Sequence, residues 1–467
     1  MNSSEQFKHY TEKVCQQIRW KKAHGIVAQE IENHLIDQKN AYMAMGDSES
    51  TAEEKALLQM GDPVAVGAAL DSTHKPAPQW GMLGLVMVLF AIGIFIQFLF
   101  VTTMDQGYHN HSIPMMAILF LLSLAAFVGM YFLDFSFFGK HPYVLPLLLL
   151  GIDLWSQFFG TWGGGKMWLT LGSFSVSPFA LALPFPLAFC GLLYQQRKNG
   201  RRGYFISGMI AAAFTFLLLI CHSASGVLIF LSSAGILMLV VARKEWFGKK
   251  TTMILLFFIM AAIVLFALLL FYPPFRYRYG LERIVSILFP DNDAYGIRYT
   301  PWELREMLSH AAFLGKGTAF SGEIPYLLQA PTMLRSDYLL AHLTYQYGWA
   351  VSIGLVLLLS VFLIVGFRKC LKQKSVLAQM VSLSILCTFA MEIWNYIAAN
   401  LGAIYLAPIA LPFLSYGTTA LLLNMGLAGI LLSTFRTGEV YQDNVKPALS
   451  ESKFIQWDDG KLIISFK

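Results

Sequence analysis

The chain has 467 residues, of which 56% are hydrophobic and only 13% charged. That is about half the charged share of a soluble domain, too little to cover a water-soluble globule, so lipid must serve as part of the solvent. The formal net charge of +6 is not a nucleic-acid footprint, because the basic residues cluster in short segments between apolar runs, where they set topology.

The first 75 residues are polar and read as a small soluble helical domain, with no signal-peptide pattern. Val27, Ile31, Leu35 and Tyr42 recur at helical spacing and form one apolar stripe. Thr51-Ala52-Glu53-Glu54 has the capping-box pattern of a helix start. Gly61 can end that helix, and Asp62-Pro63 supplies a cap and first-turn proline for the next. Lys75-Pro76-Ala77-Pro78 then forms a stiff linker. His34-Leu35 with Asp37, Gly46 and Gly61-Asp62-Pro63 resembles the helical prefix ahead of some Gram-positive membrane proteins, which implies regulation or protein binding.

Beyond the linker lies an all-α polytopic membrane domain, residues 80–433. Apolar runs occupy 80–101, 113–133, 142–159, 175–194, 203–222, 225–242, 251–272, 338–366, 376–398 and 410–433. Each is near the length of about 20 residues that spans a bilayer, so about ten transmembrane helices are expected. His222 to Ser225 must then turn tightly between spans five and six.

Arg197, Lys198, Arg201 and Arg202 follow span four, Arg243, Lys244, Lys249 and Lys250 follow span six, and Arg368, Lys369, Lys372 and Lys374 follow span eight. This alternation places even-numbered span ends, both termini and the tail 434–467 in the cytoplasm of a plasma membrane. Cys15, Cys190, Cys221, Cys370 and Cys387 are scattered, which argues against a disulfide framework or a CxxC zinc site.

The segment 273–336 is the one long extracytoplasmic loop. It is rich in Arg, Tyr and carboxylates and contains Trp302, a composition that favours function over disorder. Leu304 to Ala312 is expected as a short helix along the membrane surface. Further on, Pro412 and Gly417 interrupt a helix and free backbone groups, which membranes tolerate only where protein or a wet cavity satisfies them. On the residues alone, a kinked helix and a functional break are both open.

Asn400-Leu401-Gly402, with Leu411-Pro412-Phe413-Leu414-Ser415-Tyr416-Gly417, decides between them. The stretch resembles the C-terminal signature of the SEDS family, the FtsW/RodA/SpoVE group, with Thr418 and Thr419 in place of its usual Gly-Ser. Asn424-Met425-Gly426 to Leu432 resembles the segment that follows. Upstream and in order, Gly165-Lys166-Met167-Trp168-Leu169 with Gly172 and Pro178 resembles the family's R-W-x-x-x-G…P-S-E loop. Pro290, Gly296, Tyr299 and Gly315-Lys316-Gly317 resemble its long outer loop, and Arg335-Ser336-Asp337-Tyr338 with Gly348 resembles the segment opening span eight.

The resemblance implies glycosyltransfer in a bacterial plasma membrane: polymerisation of lipid II, the undecaprenyl-pyrophosphate-linked disaccharide-peptide, in division, shape or sporulation. It makes Asp337 the catalytic carboxylate, since an attacking sugar hydroxyl must lose a proton. Arg276, Arg278, Arg283, Arg298, Arg305, Lys316 and Arg335 are candidates to offset pyrophosphate charge. Lys166, Trp168, Asn400, Pro412, Ser415 and Tyr416 join them as candidate substrate contacts. No residue is assigned to a metal, although the family leaves room for a divalent cation, Mg or Mn. The implied partner is a class B penicillin-binding protein transpeptidase.

Bland readings stand beside these. Asp337 could cap a helix or sit solvated, and loop arginines can bind lipid headgroups. Asp153 and Glu392, within apolar runs, could line a lipid path or pair with an internal polar group. Where the family has Pro-Ser-Glu, Q-P-D-L-G and paired glutamates, this chain has Pro178-Phe179-Ala180, His222-Ser223-Ala224-Ser225-Gly226 and Tyr345-Gln346. Those losses favour a non-catalytic transpeptidase scaffold as one alternative, and the resemblance also implies a lipid II transporter (flippase) as another. An O-antigen ligase-like enzyme shares many spans and an Arg-bearing outer loop, but the Pro-Phe-Leu-Ser-Tyr-Gly stretch argues against it.

Overall fold

The computed structural model describes residues 3–74, 76–104, 109–163, 166–171, 174–220, 224–248, 251–252, 254–256, 258–259, 299–320, 325–403, 407–438, 455–458 and 461–464. The chain divides into two compact units, residues 1–79 with 436–444 and residues 80–435 with 445–467.

The first unit holds four helices: α1 (Ser3–Gln17), α2 (His24–Ala44), α3 (Glu49–Met60) and α4 (Pro63–His74). Val27, Ile31 and Leu35 of α2 bury with Phe7, Val14 and Ala56 in one core. Tyr42 stays half-buried and donates to Gln59 Oε1. The expected cap at Thr51 is corrected: α3 starts one turn earlier, because the extended Ser48 accepts the Thr51 amide on its hydroxyl at 3.4 Å. Gly61 ends α3 with φ at +80°, and Asp62 opens α4 by accepting the Ala65 amide at 3.1 Å.

The second unit begins with α5 (Trp80–Met104), α6 (His109–Phe132), the short α7 (Ser136–Lys140) and α8 (Val144–Phe159). An antiparallel meander follows, β1 (Thr161–Gly163), β2 (Lys166–Leu171) and β3 (Phe174–Val176), where the sequence suggested only loop. Then come α9 (Phe185–Gln196), α10 (Gly200–Ile220) and α11 (Ala224–Arg243). The later helices are α12 (Tyr299–Ser309), α13 (Pro331–Ser336), α14 (Leu339–Tyr347), α15 (Trp349–Lys372), α16 (Val376–Asn400) and α17 (Thr418–Thr437). A hairpin of β4 (Ile455–Asp458) and β5 (Lys461–Ile464) lies in the tail.

Among the described residues, seven helical stretches are long and apolar enough to cross a membrane. One of them, 179–219, contains both α9 and α10, and Val144–Phe159 is a shorter apolar helix. Each expected run except 251–272 therefore carries a helix; that run lies mostly outside the described residues. Some hydroxyl residues in these runs satisfy themselves on their own helix, as Thr388 does on the Ser384 carbonyl at 2.9 Å.

The eighth run differs from expectation. Residues 338–366 do not form one helix: α14 and α15 meet at Gly348, whose φ is +97°. Ser352 Oγ donates to the Leu340 carbonyl at 3.3 Å and meets Thr344 Oγ1 at 2.7 Å. In one straight helix residues 340 and 352 would be about 18 Å apart, so the chain reverses here. Glycine is required at that corner, because a Cβ would lie 2.6 Å from the Phe313 carbonyl oxygen. The strap over it runs through Gly315 and Gly317, whose amides bond the Tyr347 and Tyr345 carbonyls at 3.0 and 2.8 Å.

The described part of the outer loop is folded. Leu304 and Met307 of α12, Leu327 and Leu334 bury against Phe100, Ala341 and Tyr345. The surface helix expected from Leu304 to Ala312 starts earlier, at Tyr299, and stops at Ser309. Pro301 in its first turn costs no hydrogen bond there.

Candidate active site

Asp337 lies in the break between α13 and α14, half-buried, with its amide on the Met333 carbonyl at 2.9 Å. Three successive carbonyls at this break are each held by another part of the chain. That of Arg335 accepts from the Tyr416 amide at 3.1 Å and from Gln97 Nε2 at 3.3 Å. That of Ser336 accepts from the Tyr396 hydroxyl at 2.8 Å, and that of Asp337 from Asn400 Nδ2 at 3.0 Å.

The two α16 side chains grip both sides of the turn. Tyr396 also accepts the Leu339 amide at 3.0 Å, and Asn400 Oδ1 accepts the Ala341 amide at 3.0 Å. Both are essentially unexposed, and their four-residue spacing puts them on one helix face. Buried backbone groups rarely go unpaired; here the free groups of the broken helix are paired by side chains, which fixes where Asp337 stands.

The Arg335 guanidinium lies 3.9 Å from the Tyr416 ring centroid, and its Nε donates to Gln97 Oε1 at 3.3 Å. Gln97, fully buried, donates as well to the Leu414 carbonyl at 3.1 Å. One amide from α5 thus ties the Asp337 segment to the stretch Leu411 to Tyr416. That stretch is shaped by Ser415, whose hydroxyl accepts the Leu411 amide at 2.9 Å. Phe413 takes a positive φ of 69° and is wholly buried among Phe362 and Phe389.

The structure sorts the sequence candidates. Arg335, Asn400 and Tyr416 converge on the Asp337 turn, while Ser415 and the buried Pro412 build the loop beneath it. Arg305 is committed elsewhere: its Nε and Nη2 bond the Gly402 carbonyl at 3.0 and 2.6 Å and cap the end of α16. Lys316 is exposed on the strap at the far end of α14, about 12 Å of helix from Asp337. Lys166 and Trp168 lie on β2, and the meander ends at Ser177, whose amide donates to Thr419 Oγ1 at 2.9 Å. Arg276, Arg278, Arg283 and Arg298 lie outside the described residues.

Of the two intramembrane carboxylates, Glu392 pairs with an internal polar group: its Oε1 accepts from Asn424 Nδ2 at 2.9 Å. Asp153 is 1% exposed, and its carboxylate has no hydrogen-bond partner among the described residues. The sequence reading missed Gln97 and Tyr396. A lone amide inside the first apolar run, and a tyrosine one turn before Asn400, were the available signals.

Asn400→Leu should destabilise the fold, because two buried backbone groups lose their partner at about 1–3 kcal/mol each, and should slow any reaction that depends on the position of Asp337. Initial rates alongside the thermal unfolding midpoint would check this. A parental rate from the folded variant would mean the clamp does not set the position of Asp337.

The family model described as "Cell cycle protein", for FtsW, RodA and SpoVE, matches residues 78–438. Stage V sporulation protein E of Bacillus subtilis (strain 168) is 24% identical over 277 residues, 58% of this chain and 72% of that protein. A probable peptidoglycan glycosyltransferase FtsW of Geobacter sp. (strain M18) is 24% identical over 329 residues, 67% of this chain and 84% of that one. Among solved structures, a chain from a peptidoglycan synthase complex coordinating polymerization and crosslinking aligns at TM-score 0.58 and 19% identity. It is covered over 99% of its length by 79% of this chain. The rod shape determining protein RodA of Thermus thermophilus aligns over the same shares at TM-score 0.54 and 17% identity. At these identities the structural likeness speaks for the fold.

Proposed function

Because the chain belongs to the Cell cycle protein family of FtsW, RodA and SpoVE, we propose that it is a peptidoglycan polymerase of a bacterial membrane. The observation that carries this reading is the Asp337 segment held at a helix break by Gln97, Tyr396 and Asn400, with Arg335, two residues earlier, fixed on Tyr416. A carboxylate on a rigid turn, with a guanidinium two residues earlier in the chain fixed in advance, suits transfer of a sugar from a lipid pyrophosphate.

In the proposed reaction the Asp337 carboxylate takes the proton of an acceptor sugar hydroxyl. The hydroxyl oxygen forms the new bond to the donor's anomeric carbon as the bond from that carbon to phosphate breaks. The lipid pyrophosphate leaves with the electron pair, and Arg335 offsets its charge. Stacking on Tyr416 and the bond to Gln97 restrict that guanidinium before substrate arrives, so little reorganisation accompanies the step. Lipid II is the proposed donor.

A divalent cation held by protein alone does not fit the described residues around Asp337. No three His, Cys, Asp or Glu side chains converge among them, and the positions that carry further carboxylates in the resembled pattern are Ala180 and Tyr345-Gln346. Both termini are proposed to face the cytoplasm on the strength of the loop charges. Likeness to a chain of a complex that coordinates polymerization and crosslinking supports a transpeptidase of the class B penicillin-binding type as partner.

The test is polymerisation of lipid II by purified protein, with and without Mg or Mn and a partner transpeptidase, read as glycan strands on a denaturing gel. Strands are expected. Their absence under every condition, from protein that still binds the transpeptidase, would replace this reading with that of a scaffold.

A further inference from the structure

Polar side chains without partners gather at one level of the membrane unit. Glu392 and Asn395 of α16 and Asn424 of α17 are each at most 1% exposed. Asn424 Nδ2 donates to Glu392 Oε1 at 2.9 Å and so joins the two helices. Glu392 Oε2, Asn424 Oδ1 and both side-chain polar atoms of Asn395 have no hydrogen-bond partner among the described residues. Residues three apart on a helix are surface neighbours, with Cβ atoms about 5–6 Å apart, so Asn395 stands beside Glu392.

Helix α6 adds another such atom at the same depth. Ser433 Oγ of α17 donates to the Leu133 carbonyl, and a Cβ on Gly429 would meet the Phe127 carbonyl oxygen and Met130 Cβ. Positions 300 apart therefore lie level on these two helices, which run parallel. That register puts Ser123 within one residue of the level of Asn424, on the α6 face that carries Phe127. Ser123 is wholly buried, and its hydroxyl has no partner among the described residues.

Polar groups at membrane depth are costly, and a group of them facing the bundle interior marks a function. No cationic side chain bonds to Glu392 among the described residues. A proton on its carboxyl group would reach one acceptor and leave the remaining atoms as they are. Glu392 Oε2, Asn395 Oδ1, Asn424 Oδ1 and Ser123 Oγ are hard oxygen donors, the kind that suits an alkali or alkaline-earth ion rather than a thiol-seeking one. They carry a single negative charge between them. A divalent ion would keep net charge in a low-dielectric interior, so the donor set selects a monovalent one.

We propose that these oxygens hold one monovalent metal ion, of the sodium class, between α6, α16 and α17. Glu392 lies one turn before Tyr396, about 6 Å along the helix axis, and Tyr396 grips the Ser336 carbonyl and the Leu339 amide. An ion that binds α16 to α17 here would steady the clamp on the Asp337 turn without taking part in the proposed reaction.

The experiment uses the full-length protein in detergent, exchanged into choline chloride. Radioactive sodium should bind saturably, one ion per chain, and be displaced by unlabelled sodium but not by choline. The unfolding midpoint should rise with sodium at constant ionic strength, as binding to the folded state requires. Glu392→Gln keeps the shape of the side chain, removes its charge and should weaken binding at least about tenfold. Asn395→Ala should weaken it by a smaller factor. Glu306→Gln, which alters a part-exposed carboxylate of α12, should leave it unchanged. Hydrogen exchange at the Leu339 and Ala341 amides should slow when sodium is bound.

No saturable sodium binding by the folded parent would overturn the site, as would parental affinity in Glu392→Gln. If that variant does not fold, parental affinity in Asn395→Ala overturns it instead. Unchanged exchange at Leu339 and Ala341 with sodium bound would overturn the link to the clamp. None of these readouts needs turnover, so the ion site and the polymerase reading can each fail alone.

Discussion

On the proposed reading, Asp337→Asn should reduce lipid II polymerisation by about 10²–10⁴-fold, the range that a positioned general base contributes. The substitution preserves the shape of the side chain. It also leaves intact the clamp on the backbone, which runs from Tyr396 to the Ser336 carbonyl and from Asn400 to the Asp337 carbonyl. The unfolding midpoint of the variant should therefore stay near that of the parent while the rate collapses. A transporter would behave differently, since movement of lipid II across vesicles needs no base. If purified Asp337→Asn protein forms strands at the parental rate, the mechanism proposed for the turn is wrong. If it moves lipid II but never polymerised it, the transporter reading gains.

The second large effect is expected at Gly93. A Cβ on this residue would lie 2.1 Å from the Phe413 carbonyl oxygen and 3.1 Å from Leu414 Cα. Both obstacles are backbone, so no rotamer change relieves them, and α5 must move away from the 411–417 loop. Such overpacking costs typically 1–3 kcal/mol. Here it would also strain the bond from Gln97, one turn further along α5, to the Leu414 carbonyl at 3.1 Å. Gly93→Ala should lower the unfolding midpoint by several degrees and depress polymerisation with it.

Gly84, earlier on the same helix, is the internal control. Nothing lies within 4 Å of a Cβ there, so Gly84→Ala should be neutral or stabilising by up to about 1 kcal/mol from helix propensity. Equal behaviour of the two variants, measured by thermal unfolding in detergent, would show that the close approach of α5 to the loop is not a constraint on the fold.

Much of the membrane architecture is legible along the chain, because hydropathy and loop charge are local properties. The runs from Trp80 onward, the caps Gly61 and Asp62, and the break before Thr418 could all be read within windows of about 20 residues. The motif residues were legible too, as residues. Their roles were not. Asn400 reads as a candidate contact to substrate, yet its amide is spent on the Asp337 turn, 63 positions away. Arg305 reads as a phosphate ligand, yet it caps the Gly402 carbonyl, 97 positions away.

From the sequence alone came a polytopic membrane protein, a helical prefix and a carboxylate in a resembled motif. The tertiary structure decided that α14 and α15 reverse at Gly348, which placed Leu340 against Ser352. It also decided that Gln97 joins the Asp337 segment to the loop at Leu414, a bond between residues 317 positions apart. The division has a physical cause. Transfer into lipid depends on each residue's own side chain, whereas a broken helix must find partners for its backbone groups wherever the fold supplies them.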